Sequence, residues 1–498
     1  MRLFKVALVT LLFCGAVAGL GYSLFTSGLL STIIPPPEEV ATPPPRPRVP
    51  KPTPRQLDID ALYARKATPT LLATEAAALA QYDAANPTTA AWYENGRKAV
   101  RLFVLELITG DFHGEGLLRE ADTYAALAYQ AGCRDPLVSA VCDTLFYRTR
   151  HSLKRDNLEG HLGRADALEQ SNYPALLKVP ALAIAAVNLS KLAGRRENWK
   201  DDLSEFLPRR AQYLDRALAQ LEKAAAEGIP EKVVVEQTQR LVGYLDRDPA
   251  NMDSLSGRLE PFFTRTNLAP NARAAVLGDF LTDWAWTARG SGWAKDVTPE
   301  GWRLMNERLA LGEKILEKAR TDYPQDVRLP LELMRVELGQ GDGKFRLNQL
   351  YEDALRIDPS SYSARSQKMY YLQPRWYGSP DEVFAFGIAC AKTGDYANRL
   401  PLILEEGIWL IADQEESVFK NEKVWALLQP IFEEYLQQFP NSIRTRTRYL
   451  QWAVYSGHWD VARTQRDLLG GNWDRSELGE SDYAKLISQI PSESGSQP

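Results

Sequence analysis

Residues 318–359 read KARTDYPQDVRLPLELMRVELGQGDGKFRLNQLYEDALRIDP, and this stretch decides the fold. One amphipathic segment ends in KARTDY and breaks at Pro324. The next carries Val327, Leu331, Met334 and Leu338 on one helical face. Glycines 339, 341 and 343 in GQGDGK then interrupt the pattern, as glycine does where a helix stops. Leu347, Leu350, Tyr351, Ala354 and Leu355 restart it, and Ile357-Asp358-Pro359 closes the unit. Two helices joined by a glycine turn, between prolines 35 residues apart, match a tetratricopeptide-type hairpin of about 34 residues.

The same reading extends outward. Trp302, Met305, Leu309, Gly312, Leu316 and Ala319 form the preceding stripe. Tyr213, Ala217, Leu221 and Ala224 form an earlier one, and Val424, Leu427, Leu428, Ile431, Phe432 and Tyr435 a later one. Pro440 opens a unit that runs to Tyr455, turns at Ser456-Gly457 and continues through Trp459, Ala462 and Leu468. Asn86-Pro87 and Asp248-Pro249 mark earlier joints. Strand-type alternation is nearly missing, Val233-Val234-Val235 being its best and shortest example. The expectation is an all-α, irregular tetratricopeptide-like solenoid. Its parts are an N-terminal helical repeat region at 57–250, a C-terminal one at 251–475 and a polar tail at 476–498.

Ahead of this body lies a charge-free run from Val6 to Ile34, preceded by Arg2 and Lys5. A bilayer span needs about 20 apolar residues, and basic flanks stay cytoplasmic. The run is expected to be a transmembrane anchor at 1–34, followed by a proline-rich linker at 35–56 in extended polyproline conformation. The competing reading is a signal peptide cleaved after Ala16-Val17-Ala18; the apolar run from Gly19 to Ile34 favours the anchor. Phe13 is too bulky to make Cys14 a lipoprotein cysteine. The expected location is the inner membrane, single-pass, with the bulk of the chain periplasmic.

A net charge of −5 argues against a nucleic-acid partner, which calls for a basic surface. Of four cysteines, Cys133 and Cys142 flank a turn between Gly132 and Pro136. An oxidising compartment would allow a disulfide there; the other reading is two small residues in helix packing. None of the four histidines (His113, His151, His161, His458) has a second His or Cys one helical turn away, so no metal site is expected. Nucleophile-elbow, P-loop and dinucleotide signatures are missing. No cofactor and no catalytic residue is expected. The neighbours Glu405-Glu406 and Glu415-Glu416 point about 100° apart on a helix and do not make an acid–base couple.

Two strings differ from the rest: TDWAWTARGSGWAKDVTPEGW (282–302) and IDPSSYSARSQKMYYLQPRWYGSPDEVFAFG (357–387). Through Ala288-Arg289-Gly290, Asp358-Pro359 and Leu372 to Ser379, the segment at about 270–400 resembles an uncharacterised bacterial family of tetratricopeptide-like helical proteins, known only as a domain of unknown function. The resemblance implies a helical solenoid and no activity. In these strings Arg289 and Arg375 lie beside Trp286, Trp293 and Trp376. Guanidinium–indole stacking would let them line one groove for an acidic or aromatic peptide segment or a sugar, or would clamp turns between helices. Arg289, between two helical stretches, suits the clamp, and Arg375, in a Pro/Gly loop, suits recognition. Two function classes follow. One is a membrane-tethered scaffold holding a protein or peptide partner. The other is a cell-envelope enzyme or glycan-binding module built on the Trp/Arg segment.

Overall fold

The computed structural model describes residues 57–111, 113–148, 155–194, 206–245, 249–341, 343–412 and 416–491. Among them are twenty-one α-helices and no strand. The described residues are all-α, and most consecutive helices pack on one another. Several also reach the helix after next, as Pro270–Arg289 does with Arg328–Gln340. This is how a helical-hairpin array buries the one apolar face each helix carries. None of these helices is long and apolar enough to cross a membrane. The expected anchor at 6–34 and the linker at 35–56 lie outside the described residues.

Local chemistry sets the joints. Pro299 and Pro380 open helices behind Thr298 and Ser379, whose side-chain oxygens accept N–H groups of Gly301 and Glu382. Each satisfies an otherwise orphaned donor of a first turn. Helix Arg328–Gln340 ends at Gly341 in the left-handed region, φ 80°, and Lys344–Ile357 follows, so GQGDGK is the inner turn of a hairpin. Val233, Val234 and Val235 sit at the start of a helix and are all buried. Tertiary packing overrides their strand preference.

Among the described residues the buried apolar side chains form four clusters. Leu241 and Val242 share a cluster with Met252 and Leu255, so the boundary expected at 250/251 is not a break in the core. The tail expected from 476 is folded as far as Ile490. Leu478, Tyr483, Leu486 and Ile490 are buried around helix Glu480–Ser488. Trp473 stacks flat on Tyr483 at 3.9 Å and donates its indole N–H to the Leu478 carbonyl at 2.7 Å.

The structure shows no disulfide between Cys133 and Cys142. Cys133 is buried at the end of its turn, facing the Tyr82 hydroxyl and Asp135, and burial raises its pKa. Cys142 packs partly buried against the same core.

The array also turns back on itself. The loop 113–116, near its beginning, docks on helices near its end. The His113 ring stacks on Phe439 at 4.0 Å, and its Nδ1 lies 3.0 Å from the Tyr435 hydroxyl. The His113 carbonyl accepts the Ser442 hydroxyl at 2.5 Å, and the Gly114 carbonyl accepts the Arg444 N–H at 3.1 Å. Gly114 has φ 68°, and a Cβ there would lie 2.5 Å from that of Arg444. Both the backbone turn and the close approach require glycine. Midway along the chain, Gln237 donates to the Leu107 carbonyl at 2.9 Å.

Candidate functional site

The two Arg/Trp strings meet. Helix Pro270–Arg289 carries Trp286 in its last turns and stops at Gly290, φ 78°, whose N–H bonds the Trp286 carbonyl at 3.0 Å. Ninety residues later, helix Tyr362–Tyr371 gives way to the loop 372–379, folded by bonds from the Trp376 N–H to the Gln373 carbonyl (2.9 Å) and from the Tyr377 N–H to the Tyr371 carbonyl (3.1 Å). Gly378 passes so close to the Leu372 carbonyl that any side chain would overlap it. This tight loop turns Trp376 toward Trp286. Their rings meet edge to face at 6.2 Å, and Tyr370 lies 6.1 Å from Trp376, separations at which aromatic pairs attract.

Between them is a cavity of about 480 Å³, within the usual size of a ligand pocket. Trp286, Trp376 and Tyr370 form its aromatic wall, Met334 and Leu338 its aliphatic side, and Arg335, Ser366 and Gln367 its polar side. The Trp376 indole N–H and the Gln367 Oε1 are buried, with no hydrogen-bond partner among the described residues. An unmet buried polar group costs about 1–3 kcal/mol.

Arg335 is the electrostatic centre. It donates to Asp283 at 2.5 Å, to Glu332 at 2.8 Å and to Asp279. Three carboxylates surround one guanidinium, leaving the cluster negative. Burial is the largest influence on Glu332 and outweighs the pull of Arg335, so its pKa rises to about 7. The cavity thus has an aromatic wall and one charged lining residue, Arg335, whose carboxylate partners lie outside the lining.

The other expected site residues fall elsewhere. Arg289 bonds the carbonyls of Gly290 (3.1 Å) and Gly292 (3.0 Å) and lies over both Trp286 and Trp302 at 5.6 and 5.7 Å. It fastens the turn after its helix and props Trp286 from behind. Arg375 is exposed and lies 5.1 Å over Tyr370, at the rim. Trp293, 79% exposed, does not join the cavity. Arg335, Gln367 and Tyr370 were not legible as site residues. The available signals were an arginine inside the apolar run Leu333–Val336 and a Gln/Tyr pair three residues apart on one helix face.

Compared with known families and with curated proteins, the chain matches no family model and no curated protein. The reading of the site therefore rests on its geometry.

Proposed function

We propose that the chain is a helical-repeat scaffold that holds a protein or peptide partner in the cell envelope, tethered to the inner membrane by the span at 6–34 with residues 35–498 on the periplasmic side. The observation that carries the binding role is the convergence of Trp286 and Trp376, from strings 90 residues apart, on one cavity. An aromatic wall suits a partner segment that presents an aromatic or amphipathic side chain.

A photo-crosslinking amino acid placed at Tyr370 in the full-length chain tests this in cells. A discrete adduct is expected from Tyr370, lost on Trp376→Ala, and unaffected by Trp293→Ala. Adducts of equal yield in the Trp376→Ala chain would overturn the assignment. Alkaline phosphatase fused to the C-terminus tests the tether; an inactive fusion would place the body on the cytoplasmic side.

A further inference from the structure

The cavity leaves Trp293 out, and that ring has a counterpart. Among the described residues Trp293 and Phe345 are the two most exposed large apolar side chains, at 79% and 75%. Trp293 stands in the loop 290–298 that follows helix Pro270–Arg289, and Phe345 in the first turn of helix Lys344–Ile357. Both turns lie on one edge of the array. Trp286, near the end of its helix, meets Trp376. A Cβ on Gly341, which ends helix Arg328–Gln340, would lie 3.6 Å from the Tyr377 hydroxyl. The loop 372–379 therefore sits beside both turns.

Single exposed apolar residues are ordinary on a protein surface, but here the two largest exposures share an edge. The Trp293 loop is also fastened. Arg289 donates to the carbonyls of Gly290 and Gly292, the Asp296 N–H bonds the Trp293 carbonyl at 2.8 Å, and Thr298 caps the next helix. The ring is held outward by a tied turn. The charges of the edge balance. Arg289, Lys295 and Arg375 stand against Asp296, Asp342 and Asp381 in the sequence, and Lys344 pairs with Glu382. What distinguishes this edge is its two rings.

We propose that this edge rests in the interfacial layer of a lipid bilayer, with the Trp293 and Phe345 rings inserted among the headgroups. The inference rests on the reading of 6–34 as a membrane span. Counted at about 3.1 Å per residue, the linker at 35–56 would let the body stray no more than roughly 70 Å from that span. A contact made at such a high effective concentration can be small. A second copy of the chain is a poorer occupant. At roughly 150–250 Å² per aromatic side chain, two partly exposed rings supply less than half of the about 800 Å² per partner that a stable interface buries. Tryptophan favours the layer between water and hydrocarbon, and a charge-balanced edge makes the insertion indifferent to lipid charge.

The test uses the full-length chain in vesicles of phosphatidylcholine, alone or with added phosphatidylglycerol. A phenylalanine analogue carrying a photoreactive diazirine replaces Trp293, Phe345 or, for comparison, Leu468, which is 61% exposed on helix Trp459–Leu469. Lipid adducts at 293 and 345 are expected to exceed those at 468 at least about fivefold, equally in both vesicles and at low and high salt. Phe345→Glu should cut the lipid adducts at 293 by a similar factor while circular dichroism stays unchanged. Vesicle flotation separates the two readings. A chain that does not float overturns the tether and this edge together. A floating chain overturns the edge alone if 293 and 345 give no more lipid adduct than 468, if their adducts carry the mass of a second chain, if labelling needs the anionic lipid, or if Phe345→Glu leaves labelling at 293 unchanged.

Discussion

Replacing Arg335 by methionine keeps the aliphatic stem and removes the cation that Asp279, Asp283 and Glu332 share. Breaking a fully buried ion pair costs about 3–5 kcal/mol because the remaining charge is stranded. The Arg335 side chain is 30% exposed, and solvent screening brings the expected cost to about 2–4 kcal/mol. The loss should depend on pH. Glu332 already sits raised to about 7 with Arg335 present, and without that cation it moves further upward. A carboxyl whose folded pKa exceeds its unfolded value binds more protons in the folded state, so stability falls as pH rises through that interval. The deficit of Arg335→Met is therefore smallest near pH 5, where protonation of Glu332 removes part of the stranded charge, and complete near pH 8. Hydrogen exchange, corrected for intrinsic rates, reads it locally. Peptides from helices Pro270–Arg289 and Arg328–Gln340 should lose protection by about 30- to 900-fold at pH 8, taking 1.36 kcal/mol per tenfold, and much less at pH 5. An equal loss at both pH values would refute the view of Arg335 as the neutraliser of a stranded acidic cluster.

Arg289→Ala should lower stability by about 1–2 kcal/mol, since it strips two carbonyl bonds and two indole contacts, whereas Arg375→Ala should change it by less than about 0.5 kcal/mol; urea denaturation compares the two. Gly378→Ala forces the loop off the Leu372 carbonyl and should cost at least about 2 kcal/mol, with a change in tryptophan fluorescence as Trp376 moves. Tyr483→Ala should cost about 3–5 kcal/mol and free helix Glu480–Ser488 to proteolysis, while truncation after Pro491 leaves melting unchanged. Burial holds His113 down at about 4, so the folded state binds fewer protons than the unfolded state and stability is lost as pH falls from about 6.5 toward 4. His113→Phe should abolish that acid sensitivity, worth about 1–2 kcal/mol after allowance for partial exposure, as read by melting temperature at pH 7 and 4.5.

The helical pairs were legible because each needs one apolar stripe at the helix period, and Met305, Leu309, Leu347, Leu350, Tyr351 and Phe432 are buried as that stripe requires. Leu427, on the same stripe, is 40% exposed; the period marks a face wider than the neighbour that covers it. The last helix was missed because SELGESDYAKLIS is mostly polar. Its few apolar residues gain their meaning from Trp473, to which local pattern is blind. His113 in GDFHGEG resembles a solvated turn until a surface more than 300 residues away arrives to cover it. The two Arg/Trp strings were legible as a pair by composition, but the separate fates of Arg289, Arg375 and Trp293 depend on which way each turn faces.

An open stack of hairpins can grow or shrink by whole units, since each unit touches only its neighbours. Here the loop at 113–116 must find Phe439, Ser442 and Arg444, so the number of hairpins between them is constrained like the number of links in a fastened bracelet. Duplicating or deleting one hairpin would carry the far end out of register with its clasp. Change in this chain is thereby directed into substitutions within units, and swapping a unit for a foreign consensus repeat would succeed only where the replacement reproduces the original's rise and rotation.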